Sequence, residues 1–203
     1  MTRFLPGILA MAAVVVASNI LVQFIIGNWF TGGTFTYPFA FLVTDVMNRV
    51  YGARAARRVV LAGFVVGVLC SFVAAGFGQT TLRIALASGT AFLVAQLADV
   101  AVFDRLRHTD WWRAPLVSTL IGSALDTVLF FSIAFATVFS FIDPADNVAW
   151  ANEAVPLVGI GPMAPLWVSL ALADWGVKLA LAMLALAPFR VLVNRLRPLA
   201  PLG

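Results

Sequence analysis

The stretch Thr31 to Arg58, TGGTFTYPFAFLVTDVMNRVYGARAARR, decides how the chain is read, because it sets a carboxylate inside an apolar run and ends in a burst of arginine. Phe35 to Val50 is apolar enough to lie in a bilayer. Yet Thr44, Asp45 and Asn48 sit within it on nearly one helical face, at spacings of three and four. An ionised Asp at mid-membrane costs roughly 2.5 to 3.5 kcal/mol on insertion scales, so Asp45 reads as a functional group.

Working outward from that stretch, a chain of 203 residues that is 62% hydrophobic and 11% charged has too little polar surface to cover a soluble globule. Its mean hydropathy of +1.00 agrees. The expectation is an all-α integral membrane protein. Apolar runs close to the roughly 20 residues needed to cross hydrocarbon recur along the whole chain. They predict a six-helix bundle with spans at about 4–27, 35–51, 59–77, 84–103, 116–141 and 166–188, forming a single transmembrane domain over 1–203. The pI of about 10.2 is no nucleic-acid footprint, since 12 of the 13 basic residues are Arg and nearly all lie near the ends of apolar runs.

That placement orients the chain, because cytoplasmic loops retain positive charge. Arg3, Arg49, Arg54, Arg57, Arg58, Arg105, Arg107, Arg113, Arg190, Arg195 and Arg197 fall on one side, 11 in all; Arg83 alone falls on the other, and Lys178 lies in the membrane. Six spans with both termini cytoplasmic follow. The loop Ile142 to Pro165, which holds Asp143, Asp146 and Glu153 and no Lys or Arg, is then outside, and Trp111 with Trp112 suits a headgroup-level aromatic belt.

Each segment carries its own signal. The first, with Asn19 and Gln23 near its end, exceeds the roughly 7 to 15 apolar residues of a signal peptide and reads as a retained helix. Its Ala10, Ala13 and Ala17 stripe lets another helix approach closely. Segment two, with Pro38 in its first turn, is short for a full span: it is either tilted or partly broken, with freed backbone groups facing a cavity. The basic cluster Arg54, Arg57 and Arg58 reads as a boundary loop, and Gly63 with Gly67 as a packing seam. In segment five Ser118, Gly122 and Asp126 stack at steps of four; segment six carries Asp174 and Lys178 at i and i+4 and ends at Pro188. FLVTDVMN at Phe41 and FLVAQLAD at Phe92 correspond in register, and Gln96, Asp99, Phe103 echo Ser123, Asp126, Phe130.

Four acids, Asp45, Asp99, Asp126 and Asp174, and one base, Lys178, thus lie within predicted spans. At roughly 3 kcal/mol each, their insertion penalty is on the order of 15 kcal/mol before pairing. Asp174 and Lys178 can satisfy one another, but one Lys cannot neutralise three further acids on three helices, so a water-accessible polar cavity is expected. A carboxylate accepts two parallel hydrogen bonds, which suits the ring N–H and amino group of a guanine-like edge, while the Gln96 amide complements a carbonyl. The candidate binding residues are Thr44, Asp45, Asn48, Gln96, Asp99, Asp126 and Lys178, with Phe41, Phe103 and Phe130 for stacking. Cys70 is the only cysteine and His108, the only histidine, lies in a loop, so neither a metal site nor a cofactor is expected.

The run TYPFAFLVTDVMNRVYG followed by AARR resembles the signature of the bacterial queuosine precursor transporter family, also known as vitamin uptake transporters. The matching residues are Tyr37, Pro38, Phe39, Thr44, Asp45, Tyr51, Gly52, Arg57 and Arg58; Arg49 stands where many members carry Glu. ALASGTAFLVAQLADVAVFDRLR, STLIGSALDTVLFF and the Lys178 helix are similar to the corresponding stretches, so the resemblance covers nearly the whole chain. It implies uptake of a 7-deazaguanine such as 7-cyano-7-deazaguanine across the bacterial inner membrane, for salvage into tRNA modification. The solute itself comes from the resemblance; residue types point only to a neutral planar purine analogue. An intramembrane protease is disfavoured, because no GxGD motif occurs and His108 is outside the spans. The alternative is the substrate-binding subunit of an energy-coupling-factor importer, with the alanine stripe docked on a partner. The chain has no GxxxxGK[ST], so ATP hydrolysis by that route needs an energising partner, and a homo-oligomer is also left open.

Overall fold

A computed structural model describes residues 4–22, 24–26 and 30–196; Arg3, Gln23, Asn28 and Arg197 lie outside the described residues. The first helix, α1, spans Leu5–Leu21, and a two-residue hairpin of β1 Ile25–Ile26 and β2 Phe30–Thr31 follows it. Then come α2 Gly32–Thr36, α3 Phe39–Tyr51, α4 Ala53–Gly76, α5 Leu82–Leu106 and α6 Arg113–Phe135. Short 3₁₀ turns and a hairpin of β3 Ala154–Pro156 with β4 Met163–Pro165 lead into α7 Leu166–Leu196. Helices α4, α5, α6 and α7 are long and apolar enough to cross a membrane. At about 1.5 Å per residue the 24 residues of α4 rise roughly 36 Å, more than a hydrocarbon core of about 30 Å. The 17 residues of α1 and the 13 of α3 are shorter.

Segment two is broken rather than tilted. Pro38 supplies no N–H to continue α2, so the chain turns at Tyr37–Pro38 and restarts as α3. Gly32 and Gly33 let α2 sit against the end of α1: a Cβ on Gly32 would lie 2.7 Å from the Leu21 carbonyl oxygen, and one on Gly33 3.0 Å from Val22 Cβ. Ser18 Oγ donates to Thr36 Oγ1 at 3.0 Å across the same contact. Between α3 and α4 stands one residue, Gly52, at φ 86° and ψ 167°, a conformation open to glycine alone.

Several expected boundaries move. The basic cluster is helical, not a loop: α4 starts at Ala53, burying Ala55, Ala56, Val59 and Val60 and leaving Arg54, Arg57 and Arg58 exposed on its other face. Helix α6 stops at Phe135 instead of running to Phe141, since Ala136 is extended at ψ 135°. Helix α7 passes through Pro188 to Leu196. Beyond the proline, Phe189 and Val193 are buried with Val46, Phe103 and Ala114. Burial of two such side chains at about 1.5–3 kcal/mol each offsets the roughly 3 kcal/mol that a helical proline costs. The alanine stripe does not pack within the bundle: Gly7, Met11, Val15 and Ser18 form the buried face of α1, while Ala10 and Ala13 are exposed.

Arg83, the exception to the charge asymmetry, is no loop residue. Completely buried, it donates from Nε to the Ile133 carbonyl at 2.7 Å and from Nη2 to the Ala136 carbonyl at 2.5 Å, so it caps the C-terminus of α6. At the far end, Arg49 donates to the carbonyls of Arg107 and Trp111 and lies 5.1 Å over Phe103, while Arg190 stacks 4.7 Å over Trp111. Arg49, Arg107 and Arg190 thus gather at one end of the bundle, opposite Arg83.

Helices α3, α5 and α6 meet at Gly122 of α6, where a Cβ would stand 2.7 Å from Phe41 Cε1, 3.2 Å from Asp99 Cβ and 3.3 Å from the Ala95 carbonyl oxygen. Gly122→Val is expected to destabilise the fold by roughly 1–3 kcal/mol through overpacking, read as a lower thermal unfolding midpoint in detergent. An unchanged midpoint would mean that α3, α5 and α6 can separate freely at this point.

Candidate functional site

The broken second segment delivers its polar face to the interior. On α3, Ala40, Phe41, Thr44, Asp45 and Asn48 are all buried, because the three-and-four spacing places them toward α5 and α6. Two groups of polar side chains result, and they differ in how well they are satisfied.

The first group surrounds Lys178. Its ammonium donates to Asp126 at 2.8 Å and to Thr127 Oγ1 at 3.1 Å, and it lies 2.5 Å from Asp174, while Thr127 Oγ1 donates to Asp174 at 3.2 Å. Three ammonium hydrogens thus meet three acceptors, and the ion network is complete. The lysine bridges α6 to its own helix, holding both carboxylates at once. Tyr37, beside the break, faces the same network: Lys178 Nζ is 6.0 Å from its ring centroid, and its hydroxyl lies against Asp126.

The second group is incomplete. Asp45 accepts from Ser118 Oγ and Thr119 Oγ1, each at 3.2 Å. Thr44 Oγ1 donates to Gln96 Oε1 at 2.6 Å, and Asn48 Nδ2 to the Val100 carbonyl at 3.0 Å, so the two stretches matched in register pack on one another. Beyond those bonds, Asn48 Oδ1 and Gln96 Nε2 are buried without a hydrogen-bond partner among the described residues, and the buried Asp99 carboxyl has Ser118 and the Asp45 carboxyl beside it. Asp99 stands next to Asp45, and neighbouring carboxylates repel. A buried polar atom left unpaired costs about 1–3 kcal/mol, so these adjoining faces of α3 and α5 hold hydrogen-bonding capacity that water or a solute can use. Chemically this set offers acceptors at Asp99 and Asn48 and a donor at Gln96.

The aromatic candidates divide. Phe41 is buried against Gly122, at the side of Asp99. Phe103 instead packs edge-on against Phe189 at 6.1 Å, and Phe130 joins Phe131 and Phe135. Open space is also divided: a void of about 10 Å³ touches Asp45 and Thr119, while a cavity of about 270 Å³ lies between α1, α4 and α5 and is lined by none of the four acids. Tyr37 was legible only as part of the Tyr-Pro-Phe motif; its nearness to Asp126 needs the chain break to be seen.

A family model described as "Putative vitamin uptake transporter" matches residues 31–193, which include every residue of both polar groups. Among curated proteins, the chain is 36% identical to the queuosine precursor transporter of Escherichia coli, over 90% of this chain and 83% of that protein. It is 40% identical to a probable queuosine precursor transporter of Haemophilus influenzae, over 60% of this chain and 57% of that one. A third relative, the probable queuosine precursor transporter of Bacillus subtilis, is 32% identical over 57% and 59% of the two chains. No solved structure matches.

Removing Lys178 strands two buried carboxylates, whereas removing the Asp174 charge leaves the lysine bonded to Asp126 and Thr127. Lys178→Met is therefore expected to lose about 3–5 kcal/mol of stability and Asp174→Asn clearly less, compared as unfolding midpoints of the purified proteins. Equal midpoints would mean that the network does not hold α6 to α7.

Proposed function

We propose a function from one premise: the chain belongs to the vitamin uptake transporter family, whose model spans residues 31–193. It is a multi-pass membrane transporter and not an enzyme. The solute is a queuosine precursor, a 7-deazaguanine-type nucleobase such as 7-cyano-7-deazaguanine, imported across the bacterial inner membrane; the names of the three relatives support this class.

The observation that carries the reading is the set of buried polar groups at Asp99, Gln96 and Asn48. A guanine-like edge presents, in order, a carbonyl oxygen, a ring N–H and an amino group. Gln96 Nε2 suits the first, and the two Asp99 oxygens suit the second and third. Asp45, fixed by Ser118 and Thr119, flanks the site beside Asp99. Phe41, packed against Gly122 in this arrangement, would offer a face for the ring once α3 and α6 part. Asp126, Lys178 and Asp174 are already saturated and serve as the structural and switching element beside the site, not as its hydrogen-bonding edge. The chain works as one transmembrane domain of six crossings with both termini cytoplasmic, α2 and α3 together making the second.

A second reading has one observation in its favour. The exposed Ala10 and Ala13 offer a smooth surface on α1, as the substrate-binding subunit of an energy-coupling-factor importer would need for docking. Uptake by this chain in cells lacking coupling subunits separates the two.

Asp45→Asn, Asp99→Asn and Asp126→Asn are expected to reach the membrane and fold. Uptake of labelled 7-cyano-7-deazaguanine by the first two should fall at least about tenfold, the equivalent of losing roughly 1.5 kcal/mol in a hydrogen bond to a charged acceptor. Normal uptake by both, at matched membrane levels, would make these acids structural. For topology, a C-terminal reporter active only in the periplasm should stay silent, and a tag inserted within 142–165 should react from outside.

A further inference from the structure

We infer that the cavity between α1, α4 and α5 is an outer loading chamber, in which a neutral, planar, bicyclic base rests on Tyr37 before it reaches the Asp99 site. The inference rests on the reading of the chain as a nucleobase importer.

The chamber owes its shape to small residues. Gly63, Gly67, Ser71 and Ala75 follow one another at steps of four along α4 and face Ser88 and Gly89 of α5. At Gly63 the helices close: a Cβ there would lie 2.5 Å from Met11 Cγ and 3.2 Å from Phe92 Cζ. Further along they part, since a Cβ on Gly67 would meet only Val15, and one on Gly89 only Phe64, each at 3.5 Å. The open part lies in the second half of α4 and the first half of α5, away from the arginine-rich end. Helix packing alone, expected for Gly63 and Gly67, accounts for the first glycine and not for the second.

The occupant follows from size and chemistry. A volume of about 270 Å³ falls just below the roughly 300–1,000 Å³ of sites for drug-sized ligands, so it suits a base without its sugar. Among the described residues its lining has no charged side chain, which disfavours an anion or a cation. Asn19, Ser71 and Ser88 give it neutral hydrogen-bonding groups that a lipid tail does not use. At the closed end Tyr37 and Phe92 meet edge to face, with centroids 5.9 Å apart. The Tyr37 ring therefore borders the chamber on one side and the Asp126–Lys178 network on the other. A base stacked on it bears on the ion network without touching a charge.

In a Cys70→Ser background, Ser71→Cys and Ser88→Cys should react with an impermeant maleimide from outside. At about ten times the half-saturating concentration of 7-cyano-7-deazaguanine, labelling should slow about tenfold, because roughly a tenth of the chambers stay open. His108→Cys, at the cytoplasmic end, should stay unlabelled by the impermeant reagent with or without the base. Gly89→Leu should raise the half-saturating concentration for uptake. Tyr37→Phe should keep the protection of Ser88→Cys while lowering uptake. If wild-type protein in liposomes takes up the base while both cysteines label equally fast with and without it, the chamber is overturned, the space is a lipid groove, and the importer reading stands. Absence of uptake by wild-type protein overturns both. Where Gly89→Leu does not reach the membrane, the labelling of Ser71→Cys decides.

Discussion

A charge cannot sit unpaired in hydrocarbon, and the arrangement around Lys178 is the answer this chain gives to that constraint. One ammonium shared by Asp126, Asp174 and Thr127 fixes the rotation of α7 against α6. That rotation in turn sets which residues of α7 face the core, Ala182 and Phe189 among them, one and three turns further along. Because the penalty for exposing any member is several kcal/mol, the network specifies packing more sharply than the apolar surfaces around it, which Leu, Val and Ala fill interchangeably. The exposed faces of α4 and α7 show that interchangeability, since nothing on them demands a particular partner.

Against that saturated centre, the neighbouring faces of α3 and α5 are left wanting. The contrast is informative because both sets are equally buried and lie side by side. A buried polar atom without a partner calls for one, and water, an ion or a bound solute can supply it. Helix interruption serves the same end. By ending α2 at Thr36 and starting α3 at Phe39, the chain leaves Tyr37 in the break and sets its aromatic side chain beside a polar helix face. A continuous helix would have spread them along its axis.

The features legible in the sequence were those that rest on periodicity and charge. The acids at Asp45, Asp99 and Asp126 were found because a carboxylate in an apolar run has no bland explanation, and their common interior face follows from 3.6-residue spacing. Helix ends were less legible, since Pro188 and the arginines of α4 are locally unfavourable and are retained for tertiary reasons: buried Phe189 and Val193 in one case, buried Ala55 and Ala56 in the other. Tyr37 and Arg83 escaped because their partners, Asp126 and the α6 carbonyls, are distant in sequence. The same distance hid which glycine of Gly63 and Gly67 packs and which leaves room. Phe103 and Phe130 stand one turn from Asp99 and Asp126 on the same helix faces, but partners distant from those acids take up their rings: Phe189 for the first, Phe131 and Phe135 for the second.

The single glycine between α3 and α4 has a mechanical consequence. With only the φ and ψ of Gly52 separating the two helices, and with Tyr51 and Ala53 already helical on either side, there is no slack in which a displacement can be lost. Were α3 to tilt near Asp45, the motion would pass to α4, and the 24-residue length of that helix would make the displacement greatest at its far end, beyond Ser71 and Ala75.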